Sequence, residues 1–274
     1  MAALPVDITD PADPRIAAFL SIRERDLTGR EGRFIAEGTV VLRMLAAAHG
    51  QDRGFYAEAV LILQARLAGV AEILDRLPPD VPVYVAEAPV FNAIAGFDMH
   101  RGVLAIGRRQ GAPDLDGVLN NAPSLVLAAC GLSNHDNMGA LFRNAAAFGA
   151  GAVVMDRGSC DPTYRKAIRV SVGAVLTVPF AREGTIGEVI GRLKAQGYAL
   201  WGLSPRGRVP LDAIPPSPRT ALLVGTEGEG LPAEIMAAID TARIAQAPGL
   251  DSLNVATAAA IALHRIAMVN GLIG

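Results

Sequence analysis

Cysteine is scarce in this chain of 274 residues, and so is lysine. The two cysteines, Cys130 and Cys160, give no ladder of spaced pairs, which excludes a disulfide framework and a thiolate metal site. The four histidines (His49, His100, His135 and His264) are scattered, none at zinc spacing to another, so no metal is expected. Long apolar runs are missing too. The longest near the C-terminus is broken by His264-Arg265, and nothing reaches the ~18 uninterrupted apolar residues of a membrane span. The first fifteen residues, MAALPVDITDPADPR, hold acids and prolines but no basic region ahead of an apolar stretch, unlike a secretory leader. These absences leave a reducing, cytoplasmic setting as the default, with no membrane partner.

What is present is an ordinary globular composition, 51% hydrophobic and 19% charged. The length allows one large or two modest domains with a real core. A net charge of −2 argues against wholesale coating of nucleic acid. The charge is uneven, however: residues 1–107 carry 10 basic and 14 acidic side chains, residues 108–274 carry 15 and 13. Of the 25 basic residues only Lys166 and Lys194 are lysines. Arginine offers a planar fork suited to phosphates and bases, although the same bias follows from the nucleotide composition of a genome.

The polar segment Gly107–Asp114, with its glycines and proline, separates two apolar stretches and is read as an interdomain linker. The expected division is 1–107, a linker over 108–121, and 122–274. In the first part, helical spacing covers 15–27 and 38–49, and β patterns cover 58–63, 81–86 and 102–106: a small α/β unit. The second part alternates regularly. Strands are expected at Leu125–Ala129, Ala152–Met155, Val175–Phe180, Tyr198–Leu203, Ala221–Val224 and Arg243–Ala245, and helices at 138–148, 163–171, 185–196, 232–239 and 253–269. Such alternation predicts a mostly parallel sheet covered on both faces, with ligands bound outside the carboxyl ends of its strands.

Three segments fall where a strand ends and a helix begins: Asn137–Arg143, Gly225–Leu231 and Asp251–Val255. Asn137 precedes a helix with apolar residues at Leu141, Ala145 and Phe148, so an N-cap role is open to it. Arg143 is either a solvated residue or, beside Asn144, a cleft arginine placed for an RNA phosphate or ribose. The Gly225-Thr226-Glu227-Gly228-Glu229-Gly230 turn lets a ligand approach the backbone. Gly228-x-Gly230-x-x-Ala233 also fits a dinucleotide fingerprint, yet Glu227 and Glu229 would repel a pyrophosphate, and 44 residues after Gly230 are too few for the rest of that domain. An adenosine bearing a sulfonium and an amine, as in S-adenosylmethionine, tolerates these carboxylates; a plain acidic turn is the other reading. Asp251 or Ser252 can cap the final helix, or with Asn254 form a hydrogen-bonding rim. Asp161–Arg169, with Tyr164, Arg165, Lys166 and Arg169, is either a solvated helix face or an RNA-contact face.

In order and spacing the three segments resemble the signature motifs of the SpoU/TrmH group in the SPOUT class of RNA ribose 2′-O-methyltransferases. The likeness runs through residues 124–270, including Ser171-Val172-Gly173-Ala174. More weakly, residues 15–107, through Arg33–Gly38 and Gly102–Ala105, look like the family's N-terminal substrate-binding domain, related to a ribosomal-protein fold. Two positions depart from the family pattern: Ile244-Ala245-Gln246 stands where Ile-Pro-Met is usual, and His135 replaces a proline. The resemblance implies a C-terminal α/β domain with a deep trefoil knot, a homodimer, S-adenosylmethionine as cofactor, and structured RNA as substrate, with ribosomal RNA preferred and transfer RNA still open. It implies catalytic roles for Arg143, Asn137, Glu227, Ser252 and Asn254. It implies cofactor contacts from Leu223, Gly225, Thr226, Glu227, Gly230, Ile244, Gln246, Ser252, Leu253 and Asn254. RNA contacts are expected from Arg33, Glu37, Arg165, Lys166 and Arg169. A base-methylating SPOUT enzyme and a non-catalytic RNA-binding relative are the alternative functions.

Overall fold

A strand buried on both faces has no polar alternation, and β strands of this kind lie at the centre of the sheet in the second half of the chain. The computed structural model describes residues 4–20, 32–95, 101–249 and 252–274. In chain order its elements begin with β1 (Val6–Ile8), α1 (Ala17–Leu20), β2 (Arg33–Glu37), α2 (Thr39–Ala48), β3 (Phe55–Leu63), α3 (Leu67–Leu74), β4 (Val83–Ala86), α4 (Ala88–Ala95) and β5 (Val103–Arg109). They continue with α5 (Leu115–Leu119), β6 (Leu125–Ala129), α6 (His135–Ala147), β7 (Ala152–Met155), α7 (Arg165–Val170), β8 (Phe180–Arg182), α8 (Ile186–Ala195) and β9 (Ala199–Leu203). The last are β10 (Val209–Pro210), β11 (Thr220–Val224), α9 (Ala233–Ala238), β12 (Asp240–Arg243) and α10 (Val255–Val269).

Packing sorts these elements into two units, Met1–Ala112 with Thr163–Thr177, and Pro113–Pro162 with Val178–Gly274. Residues 163–177 thus group with the first unit, whereas a division in chain order assigns them to the second.

In the first unit the five-stranded sheet has the order β1-β4-β3-β5-β2. β1, β4 and β3 run parallel, and β5 pairs antiparallel with both β3 and β2. Ile8, Ile16, Phe19, Ile35, Leu61 and Phe91 form its core on one side. On α2 the buried residues Val41, Leu42, Leu45, Ala46 and Ala48 follow helical spacing, so the helix exists to cover a sheet face. Arg165 of α7 donates from Nε to Glu37 Oε2 at 3.0 Å, and its Nη2 lies 3.0 Å from the same oxygen. Glu37 is buried, so removing the guanidinium strands a carboxylate away from water. Arg165→Ala is expected to lower the unfolding free energy of the full chain by about 3 kcal/mol, with part of the loss recovered by adding Glu37→Gln. Urea denaturation of the two variants checks this.

In the second unit the seven strands lie in the order β10-β12-β9-β11-β6-β7-β8, all parallel. β6, β7 and β11 are buried at each position, as central strands of a doubly covered sheet must be. The core includes Val126, Val154, Val189, Leu193, Leu200 and Leu223. Thr185 and Glu188 form a reciprocal capping box at the start of α8, fixing that helix where its sequence signal places it.

The α/β reading with a parallel C-terminal sheet therefore holds, while some elements differ. The strand expected at Val175–Phe180 is a 3₁₀ turn at Ala174–Leu176 followed by β8 at Phe180–Arg182. Val175 and Leu176 are fully buried, and a short apolar run has the same pattern in a buried turn as in a strand. The strand expected at Arg243–Ala245 is β12, ending at Arg243, which leaves Ile244 and Gln246 in the loop beyond it. β1, β2, α3, α4, β10 and α5, the last of these inside the expected linker, are not among the expected elements. The helical spacing over 15–27 is met by a 3₁₀ turn at Pro14–Ile16 and by α1; residues 21–27 lie outside the described part.

Candidate functional site

Three neighbouring strands of the second unit, β12, β9 and β11, end on the same edge of the sheet, and the loops that leave them close around one cavity. It measures about 500 Å³. Its walls come from residues 203–206 after β9, the 224–230 turn after β11, Ile244 and Gln246 after β12, and Ser252, Leu253, Asn254, Val255 and Ala258 at the entrance of α10. A crevice outside the carboxyl ends of parallel strands is where such sheets bind ligands.

The glycine turn is closed on itself. Thr226 N donates to Gly230 O and Gly230 N to Thr226 O, both at 3.2 Å, and Glu229 N donates to Thr226 Oγ1 at 3.2 Å. At Gly225 the chain passes so near its own return that a Cβ would lie 2.1 Å from Gly230 C and 2.3 Å from Leu231 N. Only glycine fits there.

A relay of side chains joins the three motifs. Asn137 Nδ2 donates to Glu227 Oε1 at 3.0 Å, Asn254 Nδ2 donates to Asn137 Oδ1 at 2.9 Å, and Asn134 N donates to Glu227 Oε1 at 3.3 Å. Asn137 is not the N-cap of its helix: Asn134 is, accepting from Asp136 N and Asn137 N. α6 begins one turn earlier than its apolar pattern indicates, which puts Asn137 inside the first turn with a buried amide free for Glu227. Nor does Ser252 cap α10; Asn254 does, accepting from Ala256 N at 2.9 Å and Thr257 N at 3.2 Å. That cap is worth about 1 kcal/mol, and it leaves the Asn254 amide NH₂ to hold Asn137. Asp251 lies outside the described residues. Asn144 Nδ2 donates to Ala256 O at 2.8 Å, tying α6 to α10.

Behind the relay, Asp156 anchors the loop that leads into α6. Its carboxylate accepts from Gly131 N at 3.0 Å, Ser159 N at 2.9 Å and Ser159 Oγ at 2.7 Å, and Ser159 Oγ accepts from Leu132 N at 3.1 Å. Burial, reinforced by Asp156, pushes the Cys130 thiol up to about 11. Burial, with Asp161 and Glu227 adding to it, pushes Cys160 up to about 11 as well. Thiols held that high are protonated at neutral pH.

Of the residues singled out from sequence, Gly225, Thr226, Glu227, Gly230, Ile244, Gln246, Ser252, Leu253 and Asn254 all line the cavity. Leu223 does not: its fully buried side chain belongs to the hydrophobic core, and Val224 lines the cavity instead. Successive strand residues face opposite ways, so one of the two had to point away. Arg143 is exposed on α6, outside the cavity wall. In the first unit Arg33 donates to Glu58 Oε2 at 2.7 Å, and Glu37 is the buried partner of Arg165, so these three residues have ion-pair roles within their own unit. Lys166 and Arg169 are exposed and three positions apart on α7, hence on one face. Leu203, Ser204, Pro205 and Arg206 line the cavity without having been singled out. Ser-Pro-Arg-Gly reads as an ordinary turn, and its place depends on β9 lying between β12 and β11.

Gln246 Oε1 is buried on the cavity wall, without a hydrogen-bond partner among the described residues. An orphaned acceptor costs about 1–3 kcal/mol, and a ligand N–H would satisfy it. Among the described residues no group of three or more His, Cys, Asp or Glu could hold a metal ion, and no helix is long and apolar enough to cross a membrane.

Comparison with known proteins gives a consistent set. The model of the SpoU rRNA Methylase family matches residues 124–264. An uncharacterized tRNA/rRNA methyltransferase of Mycobacterium bovis is 38% identical over 267 residues, covering 94% of this chain and 90% of that one. The 23S rRNA guanosine 2′-O-methyltransferase RlmP of Bacillus subtilis is 32% identical over 206 residues, 72% of this chain and 80% of its own. Among solved structures, an RNA 2′-O ribose methyltransferase aligns with a TM-score of 0.74 and 27% identity over 98% of this chain and 100% of that one. An AdoMet-bound rRNA methyltransferase from Sinorhizobium meliloti shares the fold, with a TM-score of 0.78, 24% identity and coverage of 98% and 99%.

Proposed function

This chain belongs to the SpoU rRNA Methylase family, and from that premise we propose that it transfers a methyl group from S-adenosylmethionine to a ribose 2′-hydroxyl of structured RNA, ribosomal in preference to transfer RNA. The observation that carries the reading is the cavity at the strand ends, whose wall combines a glycine turn, two carboxylates and an unpartnered Gln246 oxygen. About 300–1,000 Å³ is the usual size of a small-molecule site. Carboxylates beside a glycine turn repel a pyrophosphate and attract an ammonium or sulfonium, which favours this donor over a dinucleotide. Gln246 suits the N–H donors that an adenosine bears. The ribose assignment draws support from relatives named as 2′-O-methyltransferases.

When bound, S-adenosylmethionine supplies the electrophilic methyl group. The protein's part is positioning and charge. Glu227, held by Asn137, keeps the glycine turn in register with α6, and Ser252 with Asn254 forms the polar rim where the ribose is received. A guanidinium stays protonated in proteins, so Arg143 does not act as a base. It binds the phosphate beside the target ribose and stabilises the alkoxide charge as the hydroxyl proton leaves towards Ser252 or water. Arg143 works across a homodimer, on the RNA phosphate that lies against the cavity of the second subunit. The last third of the chain forms a deep trefoil knot, and the first unit collects RNA in the cytoplasm through Lys166 and Arg169.

The test is transfer of a tritiated methyl group to total RNA from a strain that lacks the protein, followed by alkaline hydrolysis. Label retained in alkali-resistant dinucleotides marks a 2′-O-methyl ribose. Label released in mononucleotides places the methyl on a base and overturns the ribose assignment.

A further inference from the structure

The cavity wall carries a charge pattern that the chemistry of methyl transfer does not use. Among the described residues lining it, Glu227, Glu229 and Arg206 bear charge, a net of −1. S-Adenosylmethionine has a sulfonium, an ammonium and one carboxylate, a net of +1. Wall and donor are therefore complementary in sum, and each holds a single group of its minority sign: one guanidinium on the protein, one carboxylate on the ligand.

Arg206 stands on a loop whose backbone is fixed at several points. Arg206 N donates to Ser204 Oγ at 3.2 Å and Gly207 N to Ser204 O at 2.9 Å. Arg208 N donates to Thr241 Oγ1 at 3.1 Å, while Arg243 Nη1 donates to Gly207 O at 2.9 Å and Arg208 O at 3.0 Å. A Cβ at Gly207 would lie 2.2 Å from the carbonyl carbon of Ala242, so the loop is pressed flat on β12. The neighbouring arginines are committed to that scaffold, Arg208 to Ile239 O and Asp240, Arg243 to the loop carbonyls. Arg206 alone of the three lines the cavity, with its side chain exposed. A rigid backbone carrying a solvent-accessible guanidinium is a preorganised anion receptor: little ordering is required of the loop when a carboxylate arrives.

We propose that Arg206 binds the α-carboxylate of the methionine part of the donor and so lets the site distinguish S-adenosylmethionine and S-adenosylhomocysteine from 5′-methylthioadenosine, which lacks the amino-acid end. The proposal rests on the donor assigned above. Glu227 cannot take the same role, being an anion already engaged by Asn137 and Asn134.

Calorimetric titration of the full chain with S-adenosylhomocysteine and with 5′-methylthioadenosine, for the natural sequence and for Arg206→Gln, separates the possibilities. The expected result is an affinity for S-adenosylhomocysteine lowered about tenfold in Arg206→Gln, with 5′-methylthioadenosine unchanged within about twofold. Arg206→Lys should recover part of the loss, and the difference should shrink as salt is raised, because the pair is exposed. Unchanged affinity for both ligands overturns the proposal, including the case in which only RNA affinity falls, which would assign Arg206 to a phosphate. Equal weakening of both ligands also overturns it, since that marks a structural role. If the natural protein binds neither nucleoside, the donor assignment itself has failed.

Discussion

Arg143→Ala is expected to lower methyl transfer by about 10²–10³-fold while leaving the affinity for S-adenosylhomocysteine within about twofold. The split follows from where the side chain stands. Arg143 is exposed on α6, outside the cavity wall of its own subunit, and its proposed contact across the homodimer is an RNA phosphate, so the ground-state complex with the donor does not depend on it. Its charge matters when the 2′-oxygen becomes anionic, and an interaction made only then appears in kcat. Replacing it with lysine should restore less than the charge alone suggests, because the planar fork that grips a phosphate is lost. Single-turnover transfer to a mapped RNA, beside calorimetry with S-adenosylhomocysteine, checks the prediction. Parallel losses in turnover and donor binding would place Arg143 in the cofactor site and contradict its role.

Gly225→Ala is expected to weaken S-adenosylhomocysteine binding about 100-fold and to destabilise the chain by about 1–3 kcal/mol. The added methyl would meet Gly230 C at 2.1 Å, Gly230 O at 2.2 Å and Leu231 N at 2.3 Å. All three are backbone atoms of the returning chain, so no side-chain rotation relieves the overlap. The turn has to open, and opening it breaks the Thr226–Gly230 pairing that shapes the cavity floor. Gly228→Ala is the control: among the described residues nothing lies within 4 Å of a Cβ there, so stability should hold within about 0.5 kcal/mol. Thermal unfolding with and without ligand reads both variants. Equal behaviour of the two substitutions would mean that the turn is not closed in solution.

The parts legible in the sequence are those set by local pattern. Fully apolar runs such as Leu125–Ala129 and Ala152–Met155 mark central parallel strands at the bounds the structure gives them. The glycine turn and the Ser252–Asn254 entrance are recognisable because glycine and small polar residues have few other reasons to cluster at strand ends. What could not be read is what long-range pairing decides. Glu37 and Arg165 stand 128 positions apart and meet in an ion pair, which no local pattern announces. The loop carrying Arg206 joins the cavity because β9 lies between β12 and β11. Strand order is a property of the sheet, not of any segment. The misplaced cap has a local cause: Asn134 and Asn137 are both good capping residues one turn apart, and the capping bonds alone distinguish them. Leu223 and Val224 differ only in which way a strand residue faces.

The most direct measurement is a crystal structure of the protein soaked with S-adenosylmethionine. The result expected is the donor lodged between the Gly225–Gly230 turn and residues 244–254, with an N–H on Gln246 Oε1. Donor density anywhere else, or an empty cavity in crystals whose protein is saturated with donor in solution, would contradict the assignment of this cavity as the methyl-donor site.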